Sequence, residues 1–91
     1  MAKFFIEVEH EATAEACARA IKHFIETGVH FLTHAEWGCK DGVHKAWVIV
    51  ELDSKDEALH VLPPAYRSIA QIVQVDEFKM EDVDQILREH E

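Results

Sequence analysis

Basic residues are scarce in this chain. Nine Lys and Arg stand against 18 Asp and Glu in 91 residues, a formal charge of −9. No run of five basic residues occurs. A nucleic-acid backbone and an anionic membrane surface both require a basic patch, so neither is expected as a partner. Long apolar runs are also missing. Nothing approaches the ~20 residues a spanning helix needs, and Met1-Ala2-Lys3-Phe4 does not read as a signal peptide. With three glycines, there is no phosphate loop and no dinucleotide fingerprint. Two cysteines, Cys17 and Cys39, are too few for a small secreted scaffold. The chain is therefore expected in the cytoplasm with both thiols reduced.

What is present is an ordinary globular composition, 48% hydrophobic, for a single domain over residues 1–91. A chain this short buries only about 60–65% of its unfolded surface, and oligomerisation is a common remedy. Seven histidines are many for this length. They are scattered, so metal or proton chemistry requires several to converge.

Periodicity divides the chain into elements. Residues 3–10 alternate as a strand, with Phe4, Ile6 and Val8 on one face and Phe5, Glu7 and Glu9 on the other. Thr13 is placed to cap a helix over 14–27, whose apolar stripe includes Cys17, Ala20, Ile21 and Phe24, and Gly28 suits the left-handed residue beyond it. Residues 29–39 and 44–52 read as strands joined by an Asp41-Gly42 turn. Ser54-Lys55-Asp56-Glu57 is a capping box opening a second helix, which Pro63-Pro64 must end. A short helical piece over 65–70, a fourth strand over 71–78 and a C-terminal amphipathic helix complete the chain. The order β-α-β-β-α-β plus a terminal helix is ferredoxin-like: an α+β fold with a four-stranded antiparallel sheet and two helices on one face.

A two-residue turn at Asp41-Gly42 pairs Cys39 with His44 and Trp37 with Ala46. The helix-covered face then carries Phe31, Thr33, Ala35, Trp37, Ala46, Val48, Val50 and Leu52, with Phe4, Ile6, Val8, Val73 and Val75. The open face carries His30, Leu32, His34, Glu36, Lys45, Trp47, Ile49 and Glu51, with Phe5, Glu7, Glu9, Ile72, Gln74, Asp76 and Phe78. So much exposed apolar area is unusual for a monomer. A homodimer closing two such faces into an α/β barrel would cover it, and its polar residues would line a cavity.

On that face His34 and Glu36 point the same way and form a candidate metal or acid/base pair. The reading as a half-buried polar pair at a dimer interface comes first, because one chain supplies only two ligands and structural sites usually need four. His30 would lie about 13 Å from His34 along a strand, too far to share an ion. Cys39 and His44, flanking the hairpin tip, form a second candidate pair, for a thiolate or a soft metal contact. Glu7 and Glu51 join the ligand-binding candidates, with Trp47 to stack on the ligand. Cys17, on the apolar stripe, reads as a buried structural thiol. His23, His60 and His90 read as surface residues.

Trp37-Gly38-Cys39, Gly42, His44, Trp47, Glu51, Ser54, Glu57-Ala58, Pro63-Pro64, Arg67, Ala70 and Phe78 form a recognisable cadence. It resembles small, uncharacterised prokaryotic proteins of the ferredoxin-like, dimeric α/β-barrel superfamily. That resemblance implies a fold and a homodimer. The superfamily includes cofactor-independent monooxygenases, isomerase-like enzymes, haem-degrading enzymes and small metal-binding proteins, and no catalytic residue carries over. Two functions are expected. One is binding of a small molecule or transition-metal ion on the open face; the other is a cofactor-independent monooxygenase- or isomerase-like enzyme using the same cavity, with His34 as base.

Overall fold

A computed structural model describes residues 1–27 and 29–90. Gly28, read above as the helix C-cap, lies outside the described residues. The chain forms β1 (Ala2–Glu9), α1 (Ala14–Glu26), β2 (Glu36–Trp37), β3 (Lys45–Leu52), α2 (Lys55–His60), β4 (Ala70–Val75) and α3 (Met80–Glu89). Short 3-10 turns occupy His30–His34, Cys39–Asp41 and Pro64–Tyr66. The fold is α+β, with four antiparallel strands in one open sheet ordered β2-β3-β1-β4.

The helices begin where side chains replace missing backbone partners. Thr13 Oγ1 accepts from the Ala16 amide at 3.0 Å. Ser54 Oγ accepts from the Glu57 amide at 3.1 Å, and the Glu57 carboxylate accepts from the Asp53 amide. Past α2 the two prolines end the helix. There the Arg67 guanidinium donates to the carbonyls of Leu62 and His60, satisfying acceptors that the broken helix leaves free.

β1 and β3 pair along their whole length, Ala2 with Leu52 through Glu9 with Lys45. Side chains alternate across a strand, so this register assigns both faces together. Phe4, Ile6, Val8, Ala46, Val48, Val50 and Leu52 are buried on the helix side, where Phe24 of α1, Ala58 of α2, and Leu62 meet them. Phe24 lies edge-on to both Trp37 (5.1 Å between centroids) and Tyr66 (5.7 Å), an arrangement that adds to plain burial.

Three expectations need correction. The second strand shrinks to Glu36–Trp37, because residues 30–34 coil into a 3-10 turn that drops Leu32 into the core. In β4 the faces are the reverse of those expected. Ile72 opposes Ile6 and is buried, whereas Val73 opposes Phe5 and is 53% exposed. Third, the hairpin tip is longer than two residues. Cys39–Asp41 is a 3-10 turn, and Gly42 at φ 79° closes it in the left-handed region that glycine tolerates. Trp37 nevertheless pairs with Ala46, so the expected register survives where the strand does.

α3 buries no residue, and Met80, Val83, Ile86 and Leu87 face outward. The radius of gyration is 16.1 Å, against about 12 Å for a compact chain of this length.

Gly38 has a packing role. A Cβ there would sit 2.7 Å from the Val43 carbonyl oxygen and 2.9 Å from the Trp47 ring. Gly38→Ala is expected to lower stability by about 1–3 kcal/mol, read as a drop in the urea midpoint. An unchanged midpoint would show that the loop and ring do not pack this way.

Candidate functional site

The β1–β3 register continues one pair past the end of the ladder. His10 follows Val8 on the helix side, and its amide donates to the His44 carbonyl at 3.0 Å. His44 precedes Ala46 on the same side. The hairpin brings Cys39 alongside, and the first turns of α1 bring Cys17 over the top. Four residues from four segments thus meet at one corner of the sheet.

Their contacts are specific. His10 Nδ1 lies 2.9 Å from the Glu11 carbonyl oxygen, and His10 Nε2 lies 3.2 Å from Cys39 Sγ. A carbonyl only accepts, so Nδ1 carries a proton, and with one proton on the ring Nε2 turns its lone pair toward sulfur. His44 packs edge-on to His10 (5.5 Å), and its buried Nδ1 has no hydrogen-bond partner. Donor atoms of His10, Cys39 and His44 all lie within 4.8 Å of one another, the one such group of three among the described residues. Cys39 is joined to Cys17 by a disulfide, with Cα atoms 6.8 Å apart. The expectation of two reduced thiols is therefore corrected: α1 carries Cys17 on its sheet-facing stripe, directly above the hairpin tip. A cleft of about 310 Å³, lined by Ala14, Ala18, Ile21 and Lys40 together with Cys17, Cys39 and His44, opens onto the sulfurs.

The open face collects some of the other candidates. Glu36, Trp47, Glu7 and Gln71 form one row straight across the sheet. Trp47 Nε1 donates to Glu7 Oε1 at 2.8 Å, and Lys45 Nζ lies 3.7 Å from the same oxygen. The next row is apolar: Ile49, Phe5 and Val73. Glu51 stands opposite Lys3, four residues along β3 from Trp47, which is about 13 Å away. His34 is not on this face. The 3-10 turn sets it edge-on to His30, Nε2 to Nε2 at 3.3 Å, with both residues exposed. The separation argued for a straight strand is thereby overturned, and His34 and Glu36 do not share a strand. A larger cleft of about 590 Å³, between Lys55, Asp56 and Leu59 of α2 and the β4 edge, contains none of the candidate residues.

Sequence reasoning missed His10 and misjudged Cys17. The signal for His10 was present: Phe4, Ile6, Val8 and His10 keep period two, and the last of them is polar.

Comparison with protein-family models, with curated proteins and with solved structures found no match for this chain. No helix among the described residues is long and apolar enough to cross a membrane.

A buried polar atom without a partner costs about 1–3 kcal/mol. Replacing His44 by Phe in the disulfide-bonded, metal-free protein is therefore expected to raise stability by about 1 kcal/mol in urea unfolding. A fall of that size would mean that Nδ1 has a partner.

Proposed function

We propose that this chain is a small cytoplasmic protein of ferredoxin-like architecture that binds a transition-metal ion at the Cys39 corner of its sheet. The observation that carries this reading is the convergence of His10, Cys39 and His44, with one ring nitrogen already freed for ligation and another left unpartnered. A ligating histidine usually donates its other ring N–H to a carbonyl or carboxylate, and His10 does so to Glu11. Unpaired buried nitrogens lower stability, and their retention is understandable if an ion fills them. Of the metal candidates in the sequence, Cys39 and His44 are thus favoured over His34 and Glu36.

The strand order, with a helix between β1 and β2 and another between β3 and β4, supports the ferredoxin-like reading. The apolar row Ile49, Phe5 and Val73 supports a homodimer closed through the open sheet face as an α/β barrel. Ile49 and Val73 are more than half exposed in the single chain. Inside such a dimer the row Glu36, Trp47, Glu7 and Gln71 would meet its counterpart and line a cavity for a small molecule. That is the second reading, and the polar row embedded beside apolar neighbours favours it.

Tag-free protein kept reduced with a phosphine is expected to take up one Co²⁺ per chain and to show the intense visible bands of a tetrahedral, thiolate-containing site. His10→Ala and Cys39→Ser should abolish the bands. Reduced wild-type protein with no such bands would refute the metal reading. Native mass spectrometry of the same sample is expected to give twice the chain mass, and a monomer at micromolar concentration would refute the dimer.

A further inference from the structure

We infer that Cys17 is a fourth metal donor and that the Cys17–Cys39 disulfide is the ion-free state of a redox-gated, zinc-class site; this rests on the metal reading just given.

The first argument is positional. Cys17 Sγ is bonded to Cys39 Sγ, so it stands at the edge of the group formed by His10, Cys39 and His44, just outside the 4.8 Å within which those three donors meet, and a short movement would bring it in. Two sulfurs and two imidazole nitrogens complete a tetrahedral set, the closed S2N2 arrangement preferred by a d10 divalent ion. With metal–sulfur bonds of about 2.3 Å, the sulfurs in such a site stand roughly 3.8 Å apart. Once the bond is broken, both cysteine side chains are free to rotate toward that spacing.

The second argument is chemical. His10 Nε2 presents a lone pair to Cys39 Sγ at 3.2 Å, and a disulfide sulfur has no proton to give it. A thiol does, and an ion replaces that proton. His44 Nδ1 is likewise unsatisfied in the disulfide form. Both nitrogens suit the reduced site better than the oxidised one.

The exchange balances as follows. A dithiol reductant entering from the cleft beside Cys17 and Cys39 gives two electrons and two protons to the S–S bond. It leaves as its own cyclic disulfide and yields the Cys17 and Cys39 thiols. A divalent ion then binds both sulfurs as thiolates and releases two protons. In the reverse direction a small-molecule disulfide accepts two electrons from the thiolates and becomes two thiolates, which take up protons. The Cys17–Cys39 bond reforms, and the ion leaves because it has lost both of its anionic donors.

The test uses full-length protein carrying His34→Ala, which removes the exposed His30–His34 pair as a competing chelate. Reduced protein is loaded with one equivalent of Zn²⁺ and treated with oxidised glutathione. Released zinc is read with a chromogenic chelator, and disulfide formation by the loss of two hydrogens in the intact mass. One zinc released per disulfide formed is expected, with affinity in the oxidised state at least about 100-fold weaker. Cys17→Ser, which leaves three donors, should bind more weakly when reduced and lose its response to oxidant. Far-UV circular dichroism of the variant establishes that it is folded. Equal zinc affinity in the oxidised and reduced states would overturn the gate while leaving the metal reading intact. Wild-type affinity in folded Cys17→Ser would overturn the fourth donor. Failure of the reduced protein to bind zinc at all would refute the metal reading itself.

Discussion

The pairing of β1 with β3 is the constraint on which the rest of this structure depends. It runs the full length of both strands and holds the two central positions of the sheet. Once Ile6 stands opposite Val48, every side chain on either strand is committed to a face. The core, the open apolar row and the row containing Glu7 and Trp47 all follow from that one alignment. So does the corner beyond it, where His10 is brought opposite His44. A slip by one residue would expose Phe4, Ile6 and Val8 and would turn His10 away from the cysteines.

Much of this was legible in the chain itself, and the reasons are local. Thr13 and Ser54 announce their helices because a short side chain with an acceptor is favoured there and few other residues serve. The alternation of β1 and β3 is unambiguous because one side must be apolar. What was not legible depended on tertiary context. Residues 30–34 contain apolar Phe31 and Leu32 in adjacent positions, a pattern that suits a strand or a tight helical turn. Leu32 resolves the ambiguity by filling the core, which an extended segment would have denied it. In β4, Ile72, Val73 and Val75 put apolar side chains on both faces, so its phase is set by its neighbour β1 and not by its own pattern. The disulfide is a meeting of a helix with a hairpin, and spacing alone does not reveal such a meeting.

Chemical potential is divided between the two sides of the sheet. The helix side holds the sulfur and imidazole donors, packed at the edge of a chain of aromatic rings running from His10 through Trp37 and Phe24 to Tyr66. At its far end Tyr66 is half-buried, and this partial burial raises its hydroxyl above the usual tyrosine range, with Arg19 acting in the opposite direction. The open side holds carboxylates, Lys45 and Trp47, accessible to a partner or a solute. In the readings argued above, the first side suits an ion and the second suits a surface.

Backbone ordinarily insulates the two sides of a sheet, yet the hairpin loop beyond β2 has a neighbour on each, Cys39 beside His10 and His44 and Gly38 against Trp47. Gly38 has no side chain, and the Trp47 ring occupies the space where one would be. The loop that carries Cys39 and the indole on the open face therefore form one mechanical unit. Any displacement of the loop must shift the ring or be opposed by it. Glycine at this position lets the indole lie directly against the loop, so that a movement of Cys39 would press on a ring of the open face.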